Sequence, residues 1–363
     1  MKKKLPVILL IIVVLLAGIV AGGFGYVKVN SKSVASKDSE NLQTVDFEVK
    51  NGMSAKAVGK ELKDLGLIKN ADIFYMFARY SKAGAFFTGK DSSVFKIQTG
   101  YYELSPAMDL AEIFSVICTG KEKSVDVVIP EGLTITKVAE RLRTAGLKNV
   151  DDFEQVAASE GRKIFEAHGL KIKADSVEGF LYPDTYNIPL SYDSEKIIGL
   201  MIDNLMKNIT SYKETDGIQN KSDFYDLMIL ASIIEREYRV KEEASSIAGV
   251  FKNRLSINMP LQSCATVEYI ITEINHKPHP DRIYFSDLES TSAYNTYKYP
   301  GLPPGPISNP GITAIRAAAN PEKNNYLYFT LTDVNAGRHT FSSSLEAHNK
   351  ATNEFRTKRD ANN

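Results

Sequence analysis

The 363-residue chain has no Trp, only two Cys and five His, and no surplus of either charge, with 44 Lys+Arg against 44 Asp+Glu. Each scarcity excludes something. A protein that neutralises many phosphates usually carries a visible excess of Lys and Arg, so the zero net charge argues against nucleic acid as a partner. Cys118 and Cys264 lie 146 positions apart, which fits neither a disulfide-rich scaffold nor a Cys-based zinc site. His276, His279, His339 and His348 contain no pair at the i, i+4 spacing of a helical zinc motif, and His276 and His279 alternate with prolines as a loop would. The expectation is therefore no metal and no cofactor. A charged fraction of 24% beside 43% hydrophobic residues excludes a largely disordered chain, and the length suits two or three domains.

Long apolar runs are also scarce, with one exception. Leu5 to Tyr26 is uncharged and follows Lys2, Lys3 and Lys4. At about 1.5 Å per residue it can cross a hydrocarbon core of about 30 Å. A cleaved signal peptide is the rival reading, but the run exceeds the usual apolar stretch and no clear A-x-A site closes it. The expected layout is a cytoplasmic tail over 1–4, a transmembrane helix over 5–27 and a polar linker over 28–44, with Asn30, Ser31, Ser33, Ser36, Ser39 and Asn41. The lysines stay inside and the remainder is exported on a single-pass tether.

Beyond the linker the pattern predicts an α+β body. DFEVKNG (46–52) alternates and ends at an Asn-Gly turn; Ser54 then opens a helix bearing Val58, Leu62 and Leu65. FKIQTGYYELS (95–105) alternates again, and MDLAEIFSVICTG (108–120) is helical with Gly120 at its end and Cys118 as a buried, inert thiol. These make a small α+β module over 45–122. The idea restarts as the strand SVDVVIPEG (124–132) and the helix TITKVAERLRTAGL (134–147), with PEGLT in the place of NGMSA. VEGFLYPDTYNIP (177–189) closes this connecting strand-helix subdomain, 123–190, as a structured loop or strand edge. A helix-rich α+β domain follows over 191–358, opening with SEKIIGLMIDNLMKNI (194–209).

Within it, KSDFYDLMILASIIEREYR (221–239) predicts one long helix capped by Ser222. At 100° per residue only Ser232, Arg236 and Arg239 share a polar sector, which leaves Glu235 beside Met228 and Ala231, and Glu237 between Leu230 and Ile233. A carboxylate in apolar surroundings must be paired or have its pKa raised. A raised carboxyl pKa suits a general acid near neutral pH; ion pairing with Arg236, Arg239 or Arg254 is the structural alternative. Further on, Tyr294, Asn295, Thr296 and Tyr297 alternate aromatic faces with hydrogen-bonding groups, a chemistry that suits sugars and also ordinary turns.

These blocks resemble a family. ILASIIEREYRVKEEASSIAGVFKNRLSINMPLQS, YNTYKYPGLPPGPISNPG, YLYFTLTDVNAGRHTFSSSLEAHN and EGFLYPDTY are similar, in order, to signature blocks of the membrane-anchored endolytic murein transglycosylases, the YceG-like family. The resemblance implies that 45–122 is a LysM-like peptidoglycan-binding module and 191–358 the catalytic transglycosylase domain. It implies Glu235 as general acid/base, Glu237 in support, and a cleft drawing on Asn253, Arg254, Gln262, Asn295, Tyr297 and His339. Many relatives carry an acid after L-Q-S where this chain has Cys264, so a role for that acid does not transfer. The implied activity is cleavage of the MurNAc-GlcNAc β-1,4 bond inside glycan strands to leave 1,6-anhydroMurNAc ends, acting as a terminase of nascent strands. Implied partners are peptidoglycan, the plasma membrane, and peptidoglycan synthases or division proteins. A non-catalytic peptidoglycan-binding scaffold is the alternative from another class.

Overall fold

The computed structural model describes residues 4–37, 43–89 and 96–361. Lys2, Lys3, Ser39, Asn41 and Phe95, which figure in the expectations above, lie outside them. The chain divides into two compact units, Met1–Val125 with Pro189–Ser191, and Asp126–Ile188 with Tyr192–Asn363.

The first unit opens with helix α1 (Lys4–Asn30), long and apolar enough to cross a membrane. Strand β1 (Val45–Val49) then leads through Gly52, at φ +76°, into α2 (Ala55–Asp64), whose N-cap Ser54 accepts the Ala57 amide. The left-handed glycine lets the chain reverse within two residues, and the cap satisfies an orphan N–H. Helices α3 (Ala71–Arg79) and α4 (Ser81–Thr88) follow, then strand β2 (Gly100–Leu104) and α5 (Leu110–Thr119). Strand β2 lies antiparallel to β1, Phe47 opposite Tyr102. The core beneath combines Phe47, Leu62, Phe74, Phe77 and Phe114, with Phe74 and Phe114 stacked at 4.5 Å. Cys118 is buried there and burial lifts its thiol to about 12, so it stays protonated.

The second unit begins with the same order. Strand β3 (Ser124–Ile129), Gly132 at φ +78°, N-cap Thr134 and α6 (Ile135–Thr144) correspond to β1, Gly52, Ser54 and α2. Then come α7 (Phe153–Ser159), α8 (Gly161–Ala167), strand β4 (Asp184–Pro189) paired with β3, and α9 (Ser194–Thr210). The repeat thus extends past the strand-turn-helix read in the sequence to strand, three helices, partner strand and a following helix. Helices α3, α4, α7 and α8 are short, seven to nine residues, and carry no long periodic face for sequence to announce.

The remainder builds around α10 (Phe224–Glu235), apolar nearly all round and buried from Met228 to Ile234. It packs on α13 (Ile312–Ala319), which also receives α11 (Ala244–Ser256). Helix α12 (Cys264–Tyr269), the hairpin of β5 (Tyr328–Asp333) and β6 (Arg338–Ser342), and α14 (Leu345–Ala361) complete the domain. The single helix expected over 221–239 is shorter at both ends. Turns closed by Lys221 N–H to Ile218 O and Phe224 N–H to Lys221 O occupy the start, so Ser222 caps nothing. At the other end Arg236 and Glu237 donate only to Ile233 and Ile234, three residues back. Their side chains are drawn apart, Arg236 to Glu268 and Glu237 to Ser263, and this tertiary pull unwinds the last turn.

Candidate active site

Glu235 is the last residue of α10, where the helix runs out of apolar neighbours. One carboxylate oxygen, Oε2, accepts the Gly311 backbone N–H at 2.9 Å, and the Tyr238 hydroxyl donates to Oε1 at 3.1 Å. Burial lifts its pKa to about 7, and the negative charge of Glu131 adds to that rise; the Gly311 and Tyr238 donors and Lys241 oppose it. A carboxyl that titrates near neutrality and still accepts two hydrogen bonds can give a proton and take it back.

A buried network fixes the Gly311 amide. Ser232, read in the sequence as part of a polar sector, is wholly buried; its Oγ accepts the Ile307 N–H at 3.0 Å, and Ser308 Oγ donates to the Ser232 carbonyl at 3.0 Å. Asn309, next in line, is also wholly buried. Its backbone exchanges hydrogen bonds with Leu133 O and Gly132 N, its amide nitrogen donates to Leu133 O and to Glu178 Oε1, and its oxygen accepts Leu181 N–H. Glu178 also accepts the Ile135 N–H at 3.1 Å, and burial lifts its pKa to about 8. Three segments, 131–135, 178–181 and 307–311, are thereby locked beside the end of α10. Two grooves draw on residues neighbouring these segments: one of 650 Å³ lined by Gly132, Thr134, Arg236 and Glu268, the other of 600 Å³ lined by Lys241, Ser245, Thr313 and Arg316.

Glu237 faces elsewhere. Ser263 Oγ donates to it, and it lines a cleft of 410 Å³ with Arg254, Gln262, Cys264, Tyr297, Tyr328 and His348. Burial pushes its pKa to about 7 against the pull of Ser263, Arg236 and Arg254. Arg254 directs its guanidinium to the backbone oxygens of Leu327 and Leu261 and sits 5.2 Å from the Tyr328 ring, so it braces the cleft wall and pairs with neither glutamate. Gln262 is held at φ +50° at the mouth, and Tyr297 touches Cys264 Sγ at 3.0 Å.

Residues 47–354 match the YceG-like family. The chain belongs to that family. It is 32% identical to the endolytic murein transglycosylase of Bacillus subtilis (strain 168) over 354 residues, covering 93% of this chain and 91% of that one. The endolytic murein transglycosylase of Streptococcus pneumoniae serotype 2 is 28% identical over 360 residues, and the match spans 63% of its length. A crystal structure of a YceG-like protein from Listeria monocytogenes superposes with a TM-score of 0.53 at 34% identity, covering 85% of this chain and 99% of that one.

In this YceG-like chain the residues singled out from sequence separate into groups. Glu235 stands with Gly311 and Tyr238; Glu237, Arg254, Gln262 and Tyr297 meet in the cleft. The other three are occupied by the fold. Asn253 donates to the Asn324 and Tyr326 carbonyls, Asn295 is wholly buried and holds the Leu288 and Ser290 carbonyls, and His339 Nδ1 is 2.8 Å from Glu243 with both side chains nearly enclosed. Among the described residues no cluster of His, Cys, Asp and Glu could hold a metal ion, and His279 instead meets Glu268. Tyr238, Glu178, Asn309 and Gly311 escaped the sequence reading. Each lay inside a block quoted for its resemblance, yet none falls on a periodic face, and only the tertiary fold brings the three segments to Glu235.

Proposed function

We propose that this chain is an endolytic murein transglycosylase, a lyase that cuts peptidoglycan glycan strands internally, with Glu235 as its acid and base. The observation that carries the reading is Glu235 itself, held by Gly311 and Tyr238 and lifted by burial to a pKa of about 7. Protonated Glu235 gives its proton to the glycosidic oxygen as the C1–O bond of the muramic residue breaks and positive charge develops at C1. The C6 hydroxyl of the same sugar bonds to C1, and its proton returns to Glu235. No water is consumed, and the new end is 1,6-anhydromuramoyl. The nucleophile is already part of the substrate, so proximity replaces the second nucleophilic carboxylate of retaining glycosidases.

Helix α1 supports a single-pass plasma-membrane anchor with the N-terminus cytoplasmic and the catalytic domain outside. The two antiparallel strands and flanking helices of residues 45–122 support a LysM-like glycan-binding module, and the anchor supports action as a terminase of strands emerging beside the membrane, where synthases or division proteins are its partners. The cleft of Glu237, Arg254, Gln262 and Tyr297 is a lesser saccharide contact, with Glu237 in a supporting role. Mass spectrometry of products from purified glycan strands tests the reading. Internal fragments with anhydro ends are expected; binding with no shortening would make the protein a scaffold.

A further inference from the structure

We infer that Glu131 is a second carboxylate of the catalytic site, facing Glu235 across Gly311 and offsetting the positive charge that develops at C1; this rests on the transglycosylase reading above. The geometry is set by a residue with no side chain. A Cβ placed on Gly311 would lie 2.0 Å from Glu131 Oε1, while the Gly311 N–H is 2.9 Å from Glu235 Oε2. An amide nitrogen and Cβ of one residue are about 2.5 Å apart, so the facing oxygens of the two carboxylates lie no more than about 7.4 Å from each other. That is the range in which paired carboxylates of glycosidases act on one sugar ring, about 5 to 9.5 Å. The other side of the loop agrees, since a Cβ on Gly132, the residue after Glu131, would meet Glu235 Cγ at 3.7 Å.

Glu131 differs from Glu235 in exposure. It is open to solvent on its turn. Its charge also acts on Tyr182 and Tyr238. The groups that face Glu235 are Glu131 from the 131–135 turn, Tyr238 and Lys241 beyond α10, the Gly311 N–H, and Thr313 through Tyr238; Arg236 lies on the Gly132 side and is engaged by Glu268. Glu131 has two consequences. It adds to the rise in the Glu235 pKa that burial sets, and its charge favours the cationic transition state over the neutral ground state.

The experiment measures cleavage of purified glycan strands by the full-length protein against pH, together with a carboxyl-carbon NMR titration of Glu235. In Glu131→Gln the Glu235 titration is expected to move down by at least half a unit, with the alkaline limb of the rate profile following it, and kcat to fall about tenfold or more. Glu131→Asp should restore most of both. Gly311→Ala should act in the same direction as Glu131→Gln, because the methyl displaces the Glu131 carboxylate without deleting it. A Glu131→Gln protein with the wild-type titration and a rate within twofold overturns the inference. If the unmodified protein yields no anhydro ends, the transglycosylase reading falls first, and an unmoved Glu235 titration then removes the coupling as well.

Discussion

Glu235 and Glu237 leave the end of one helix two residues apart, and their surroundings differ in kind. Glu235 meets donors that leave its proton available: a backbone N–H fixed by a buried network and a tyrosine hydroxyl, with another carboxylate close by. Glu237 meets Ser263 inside a smaller cleft whose arginine is committed to backbone carbonyls. Both are lifted to about 7, mainly by burial. A raised pKa therefore does not by itself mark the reacting acid; what distinguishes the two is access and partners.

The sharpest way to break this contrast is to neutralise each in turn. Glu235→Gln should lower cleavage about 10³-fold while melting within a few degrees of the parent, since the amide can still accept from Gly311. Equal losses from Glu235→Gln and Glu237→Gln would erase the distinction. Next in size, Asn309→Ala removes the three side-chain hydrogen bonds to Leu181, Leu133 and Glu178 and leaves Glu178 buried with one partner fewer. It should cost about 2 to 4 kcal/mol of stability by chemical denaturation, and activity should fall with it as the Gly311 amide loosens. An Asn309→Ala protein with unchanged stability would mean that the loop is held by Ser232 and by the backbone bonds to Gly132 and Leu133.

Glu237→Gln should change cleavage by less than about tenfold and show itself in stability. The sign follows from the raised pKa: between 4.5 and about 7 the folded protein holds a proton that the unfolded chain has released, so stability falls as pH rises through that window and is flat above it. The variant should flatten the fall seen in melting temperature from pH 4.5 to 7. The slope diminishes without vanishing, because Glu178 and Glu235 are raised in the same direction. The smallest effect is expected from Cys264→Ser, which keeps a partner for the Tyr297 hydroxyl; the rate should stay within about twofold.

Much of the α+β fold was legible because it rests on local signals. Gly52 and Gly132 sit left-handed between strand and helix, and Ser54 and Thr134 cap the helices that follow, as the shared punctuation of NGMSA and PEGLT suggests. The buried face of α5 and the apolar girth of α10 follow their periodicity. The short helices α3, α4, α7 and α8 were not, and the early end of α10 depends on Ser263 and Glu268, 26 and 32 residues away from their partners. The site divides in the same way. Glu235 stood out as a carboxylate in an apolar helix, whereas Glu178 and Glu131 gain their neighbours only from the distant Asn309 and Gly311. Asn253, Asn295 and His339 show the converse: polar residues in a sugar-like block whose hydrogen bonds are taken by the backbone or by Glu243.

The most direct test of the central claim is mass spectrometry of glycan-strand products formed in ¹⁸O-labelled water, for the parent protein and for Glu235→Gln. Internal fragments ending in 1,6-anhydromuramic acid, free of label and lost with Glu235, are the expected result. Labelled reducing ends, or anhydro ends undiminished in Glu235→Gln, would contradict it.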